Sequence, residues 1–280
     1  MVAALGAVIR NQGNAQREPH AESAAALQAQ PPTEAMQRQE LFDVLQPVAL
    51  ANCRLERFGE ANDGGYLMCA NLLGDVQSGY SYGISGYDQW GCDISSRLEV
   101  PVHQYDCFNT TEPACPTGNT IFHAECVGPN AETLEGRRFD GFRNHFASNG
   151  DASHRIVLKI DVEGAEWLTF LAAPDEVLEQ IDQLAVEFHW SRDEQQNRWI
   201  HDAKYLAVVR RLKQFFEIAH LHFNNFSCVE DVEPFPGWAY EALFVNKRLA
   251  VVDPTRTVTG PDPLDAPNDP LVADCQPAPR

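Results

Sequence analysis

A chain of 280 residues and 31.2 kDa, with 44% hydrophobic and 22% charged residues, is long enough for one large core with tails. Its formal net charge of -19 sets most of the surface against phosphate and excludes a nucleic-acid backbone from the expected partners, while admitting a neutral or cationic ligand. No run approaches the roughly 18–20 apolar residues that cross a bilayer, so no membrane span is expected in this chain.

Residues 1–36 are rich in Ala, Gln, Glu and Pro without an amphipathic repeat and are expected to be a disordered tail. The apolar run 2–9 is short, lacks a basic lead-in and is followed by Arg10, so it reads as part of that tail rather than as a signal peptide or the remnant of an anchor. Leu41, Phe42, Val44, Leu45 and Val48 have helical spacing and predict a helix over 37–49. Residues 53–58 and 66–69 flank Asn62-Asp63-Gly64-Gly65 and predict a hairpin. A strand over 79–85 opens into a loop at 86–91, ahead of a helix at 93–98. The loop is not G-x-G-x-x-G, the pattern that admits a pyrophosphate, but Gly83 and Ser85 suffice for a ligand without phosphate.

The next strand, 100–108, contains Asp106, roughly 20 residues beyond the loop, where a ribose-binding carboxylate belongs. A strand over 120–127 brings Glu125 and Cys126 near its end, and a helix is predicted over 139–146. Ile156-Val157-Leu158-Lys159-Ile160 is an apolar, β-branched run that reads as a buried strand, and Gly164 leads from it into a helical pattern. Asp161 therefore falls at a strand end, where open parallel sheets bind ligands, and Glu163 projects to the same side if the chain stays extended. Further along, the pattern predicts a short helix at 174–181, a strand at 184–189, a long helix at 199–218, and two antiparallel edge strands at 218–225 and 238–245. The tail from 252 to 280 is crowded with Pro and Asp and should be irregular.

Lys159-Ile160-Asp161-Val162-Glu163-Gly164-Ala165-Glu166 resembles the LK-I-D-x-EG-x-E signature of FkbM-type S-adenosylmethionine-dependent methyltransferases and their eukaryotic methyltransferase-like relatives. Asp63-Gly64-Gly65-Tyr66, Tyr80-Ser81-Tyr82-Gly83-Ile84 and the segments around His222 and Glu241 are similar to further motifs of that family, so the resemblance covers roughly residues 37–247. It implies a domain over 37–251 with a doubly wound, seven-stranded, mostly parallel sheet of Rossmann-like class I methyltransferase type. It also implies S-adenosylmethionine as cofactor, contacted by Gly83, Ser85, Asp106 and Asp161. The chemistry implied is O-methylation of a sugar or other small-molecule acceptor. His189 and His222, near strand ends, are the expected bases, with Asp161 and Glu163 steadying the sulfonium or the acceptor. Asp161, Glu163, His189, His222 and Asn224 are possible metal donors but too scattered in sequence to indicate a site, so no metal is assigned. The rival readings are a catalytically silent module that binds a glycan or partner, and an NAD-dependent oxidoreductase, which the missing phosphate-binding glycines disfavour.

Eight cysteines with no C-x-x-C pair speak against structural zinc and for disulfides, Cys107 with Cys115 or Cys53 with Cys69 closing the shortest loops. The resemblance of Leu264-Asp265-Ala266-Pro267-Asn268 and Asp274-Cys275 to a terminal segment of some relatives implies that Cys275 pairs with a domain cysteine. Sequons at Asn109 and Asn225 point, with the cysteines, to a glycoprotein of the secretory pathway rather than the cytoplasm.

Overall fold

The computed structural model describes residues 33–275, so the tail predicted over 1–36, including the apolar run at 2–9, lies almost wholly outside the described residues. Thr33 accepts the Met36 N–H and starts the first helix, α1 (Glu34–Leu45), three residues ahead of the expected position. The predicted hairpin forms from β1 (Leu55–Gly59) and β2 (Gly65–Cys69). Then come β3 (Ser78–Tyr82), α2 (Gln89–Leu98) and β4 (Pro101–Tyr105). Helix α2 begins earlier than its apolar pattern indicated, because Asp88 accepts the Gly91 N–H at 2.8 Å and fixes its first turn.

The strand expected over 120–127 is broken in two. Residues Asn119–His123 form β5 beside β4, whereas Cys126–Val127 form β6, which joins β7 (Glu132–Leu134) and β8 (Arg137–Asp140) in a separate three-stranded sheet. Phe139 belongs to β8, so α3 (Phe142–Ser148) starts later than predicted. The central run Ile156–Ile160 is buried at every position and forms β9. Each large apolar side chain so buried contributes roughly 1.5–3 kcal/mol, which anchors the middle of the sheet. Helices α4 (Glu166–Ala172) and α5 (Asp175–Gln180) lead to β10 (Ile181–His189), and the short pair β11 (Ser191–Asp193) and β12 (Arg198–Ile200) precedes α6 (Ala203–Phe215).

The last strands, β13 (Phe216–Phe223) and β14 (Ala239–Asn246), pair antiparallel as expected but do not both lie at the edge. The seven-stranded sheet runs β13-β14-β10-β9-β3-β4-β5, with β14 between β10 and β13 and antiparallel to both. Burial gives the reason: β14 is buried at all eight positions and needs a neighbour on each side, whereas β13 alternates buried and half-buried and tolerates the edge. The fold is thus α/β, a mostly parallel mixed sheet flanked by helices, compatible with a Rossmann-like arrangement. Alternation along the strands sends Tyr80, Leu158, Val186 and Phe244 into a core shared with α1, α4 and α6. Val157, Ala185 and Val245 point to the opposite face, under Trp90 and Ile94 of α2 and the β1–β2 hairpin. Neighbours β3 and β9 are far apart in sequence, and from them the chain winds outward in both directions, so a crevice opens beyond their carboxyl ends.

All eight cysteines pair, in the four disulfides Cys53–Cys69, Cys92–Cys115, Cys107–Cys126 and Cys228–Cys275, a usage that fits an oxidising compartment. The expected Cys107–Cys115 loop does not form; α2 holds Cys92 beside Cys115, leaving Cys107 to the start of β6. Residues 252–275 contain no helix or strand yet are tied back to the domain. Leu264 accepts from Arg57 and Pro267 from Asn62, Asp265 meets His220 at 2.8 Å, and Asn268 donates to Glu241 at 2.8 Å. The expected glycosylation of Asn225 is not compatible with this packing. Its side chain is 4% exposed, and its amide donates to the Asp269 and Val272 carbonyls while accepting the Asp269 N–H.

Candidate functional site

Beyond the carboxyl ends of β3, β4 and β9 lies a cavity of about 260 Å³. Gly83, Ser85, Asp106, Asp161 and Glu163 all line it, so five of the residues expected to serve a ligand converge on one space. Tyr105, Phe108, Val127, Phe139 and Val162 supply an apolar wall. The convergence depends on Gly83. Its N–H donates to the Tyr105 carbonyl, its φ is +72°, and a Cβ there would run into the Asp161 carbonyl oxygen, so only glycine lets the ends of β3 and β9 close together. The Asp161 N–H reaches back to Tyr82 O at 3.1 Å, carrying the β3–β9 ladder one residue further and fixing the carboxylate at the cavity wall.

Asp106 stands at the predicted place but is fully engaged by the main chain. One carboxylate oxygen accepts Ile84 and Ser85 N–H at 3.1 and 2.8 Å, and the other accepts Phe108 and Asn109 N–H at 2.8 and 3.0 Å. These four bonds use its lone pairs, so its ordered role is to hold the loops after β3 and β4, where a ribose contact was expected. Glu163 departs from the extended course expected of it: its φ is +54°, and its side chain is 83% exposed at the rim of the cavity. Asp63 serves the hairpin and the C-terminal strap, where it accepts from Asn268 at 3.1 Å, and it does not line the cavity.

Behind Asp161 lies a buried polar layer on the α2 face of the sheet. Lys159, two residues earlier on β9, donates to Gly83 O at 2.6 Å and sits 3.5 Å from Asp161 Oδ2; Tyr66 OH reaches the same oxygen at 3.4 Å. Burial, and after it Asp161, raises the Tyr66 phenol well above its usual range, so it remains a donor. On the next strand Glu187 and His189 share this face. Glu187 accepts from Asn224 at 2.7 Å. His189 Nε2 faces Glu187 Oε1 at 3.7 Å, Asp161 Oδ1 at 3.8 Å and Glu163 Oε2 at 3.8 Å, while Nδ1 has Glu166 Oε1 at 3.4 Å. Glu166 is fully buried and also accepts the Gly164 and His189 N–H groups, which clamps the turn after β9 to the end of β10. Among the described residues, one trio of acid and imidazole side chains has ligand atoms close enough to share an ion: Asp161, Glu187 and His189, all within 4.8 Å of one another.

The two histidines expected to be bases are placed otherwise. Burial alone would lower the His189 imidazole, but Glu166, Glu187 and Asp161 outweigh it and hold the ring at about 10, protonated at neutral pH. His222 does not line the cavity. Strand β14 separates β13 from β10, and the ring lies beneath the strap, between Glu241 at 3.5 Å and Asp274 at 3.4 Å. Burial again pulls downward, yet Glu241, Asp265 and Asp274 raise it to about 9. Neither ring, so charged, is free to take a proton from an acceptor.

Glu187, Glu166, Lys159 and Tyr66 carry this layer; the last three fall within the motifs of the resemblance without a role attached, and Glu187 falls within none. The spacing of two in Lys159-Ile160-Asp161 and Glu187-Phe188-His189 is the signal for the strand residues, since it puts each pair on one face. No family model, curated protein or solved structure matches the chain.

Proposed function

We propose that the protein is an S-adenosylmethionine-dependent methyltransferase of FkbM type, with the class I methyltransferase fold that its resemblance implies, acting on a hydroxyl of a sugar or small molecule. The observation that carries this reading is the meeting of Gly83, Ser85, Asp106, Asp161 and Glu163, from three strand ends, on one cavity at the point where the sheet winds in both directions. The lining fits the cofactor. Tyr105, Phe108 and Phe139 offer flat apolar surface to an adenine ring, and Asp161 with Glu163 offers negative charge to a sulfonium. The loop at 83–91 lacks the glycines that a pyrophosphate requires, which favours adenosylmethionine over a dinucleotide.

When bound, the cofactor would supply an electrophilic methyl group, and the chain's part is to hold the acceptor in line with it. Gly83 lets the backbone approach closely, Asp106 keeps the two loops in place, and Lys159 orients Asp161. His189, held as a cation by Glu166, Glu187 and Asp161, stands behind the carboxylates of Asp161 and Glu163, 3.8 Å from each. Four disulfides support a secretory setting, in which an extracellular or lumenal small molecule or glycan is the natural acceptor. The saturation of Asp106 by backbone amides favours, as a second reading, a catalytically silent module of the same fold. Titration calorimetry with S-adenosylmethionine and separately with NAD distinguishes the possibilities: the proposal requires heat from the first alone. Binding of NAD instead would indicate an oxidoreductase, and binding of neither would leave the silent module.

A further inference from the structure

We infer that Asp161, Glu187 and His189, joined by Glu163, form a binding site for one divalent first-row transition-metal ion, of manganese(II) or zinc(II) type, in the wall of the cavity. The ligand atoms come from two adjacent parallel strands. Asp161 directly follows β9, and Glu187 and His189 occupy alternate positions of β10 on the same face. All three donors lie within 4.8 Å of one another.

The distances fit an ion better than a direct network. His189 Nε2 stands 3.7 to 3.8 Å from oxygens of Glu187, Asp161 and Glu163, beyond the hydrogen-bond range of about 2.7–3.2 Å. Donors bound at about 2.0–2.2 Å around a tetrahedral centre lie roughly 3.3–3.6 Å apart, so a contraction of about an ångström from the present spacing would place Asp161, Glu187 and His189 on one ion, with Glu163, exposed at the rim 3.8 Å from the ring, able to swing in as the fourth donor. The ring is 6% exposed, and its buried Nδ1 has no hydrogen-bond partner. That nitrogen faces Glu166 Oε1 at 3.4 Å, the outer carboxylate that commonly orients a metal-binding imidazole. Asn224 fixes Glu187 and Lys159 fixes Asp161, so the donors are held by their own neighbours.

One imidazole with two or three carboxylates is a mixed nitrogen and oxygen set. It suits manganese or zinc, whereas magnesium and calcium favour oxygen alone. Asp161 belongs to both the ion site and the cavity wall, so a bound ion would offset the negative charge that Asp161 offers to a sulfonium and would present its own charge to whatever the cavity holds. Ligation at Nε2 would displace the proton that His189 carries in the ion-free protein; ion binding goes beyond the methyltransferase assignment and does not depend on it.

The test uses the full chain with its disulfides intact, stripped with EDTA and titrated with Mn²⁺ while free ion is followed by electron paramagnetic resonance. Wild type is expected to take up one tight equivalent, displaced by Zn²⁺, and Glu187→Gln and Asp161→Asn should each bind at least ten-fold more weakly while keeping the wild-type near-UV circular dichroism. Weak, non-stoichiometric uptake by wild type, or a stoichiometric site unchanged in both variants, overturns the inference. Should either variant fail to fold, wild type alone decides. Substoichiometric Mn²⁺ should broaden the His189 ring signals before those of His154, which bonds Ser78 at the opposite end of the sheet; equal broadening overturns the site. Because the titration needs no adenosyl compound, a missing ion leaves the cofactor assignment standing, and a missing cofactor leaves the ion site standing.

Discussion

Replacing Asp106 by alanine separates two roles that its position allows. The carboxylate accepts four backbone N–H groups, from Ile84, Ser85, Phe108 and Asn109, and is 8% exposed. Hydrogen bonds to a charged acceptor contribute roughly 1.5–3 kcal/mol each, but water entering the vacated space would serve the half-buried donors, so we expect a net loss of about 3 kcal/mol. For a domain of this size roughly 2–4 °C of melting temperature accompany each kcal/mol, which predicts a fall of about 6–12 °C. The loops at 83–86 and 107–109 would loosen, and affinity for S-adenosylmethionine should fall by at least ten-fold. Thermal unfolding by circular dichroism and calorimetry on the same preparations read both effects. A side chain serving only ribose would lower affinity and leave the melting temperature alone. Asp106→Ala with the wild-type melting temperature would therefore refute the loop-holding argument, and wild-type affinity would remove Asp106 from the cofactor's environment altogether.

Gly83→Ala must place a Cβ against the Asp161 carbonyl at a left-handed φ of +72°, so it should cost more in urea unfolding than the roughly 1–2 kcal/mol of the left-handed φ alone and abolish measurable cofactor binding; retained affinity would contradict the close approach of β3 and β9. Because Glu241, Asp265 and Asp274 raise His222 from its usual 6.5 to about 9, its contribution of up to about 3 kcal/mol is fully present below pH 6.5 and lost as pH rises through 9. The stability difference between wild type and His222→Asn should shrink accordingly from pH 6 to 10, and a constant difference would count against the ion pairs under the strap. Cys275→Ser opens a bridge spanning 47 residues, for which chain entropy gives at most about 4 kcal/mol. Hydrogen exchange should then quicken across 262–275 and around His220 and His222, and unchanged protection would mean that the polar contacts alone hold the strap.

Much of the scaffold was written in local pattern. The β-branched run ending at Lys159-Ile160 fixes the central strand, and the acid following it falls at a carboxyl end whatever the neighbours are. Spacing alone placed Gly83 and Asp106 on the same crevice. What stayed hidden depended on long-range neighbours. Whether His189 and His222 meet is decided by the insertion of β14 between their strands, and nothing within either strand encodes that. Glu187 lies in a strand buried at every position, and its partner Asn224 is 37 residues away. The occupation of Asp106 by amides follows from loop conformations, among them the left-handed Ser85 at φ +47°. Strands β7 and β8 are short and largely exposed, with too little periodicity to announce themselves, and Trp199 joined β12 although its apolar character extended the helical pattern of α6.

The structure of the protein crystallised with S-adenosylhomocysteine tests the central claim most directly. The account predicts density for the nucleoside between Gly83 and Phe139, with its sulfur turned toward Asp161 and Glu163. Clear density for the ligand elsewhere on the protein, or an unchanged cavity at saturating ligand, would contradict it.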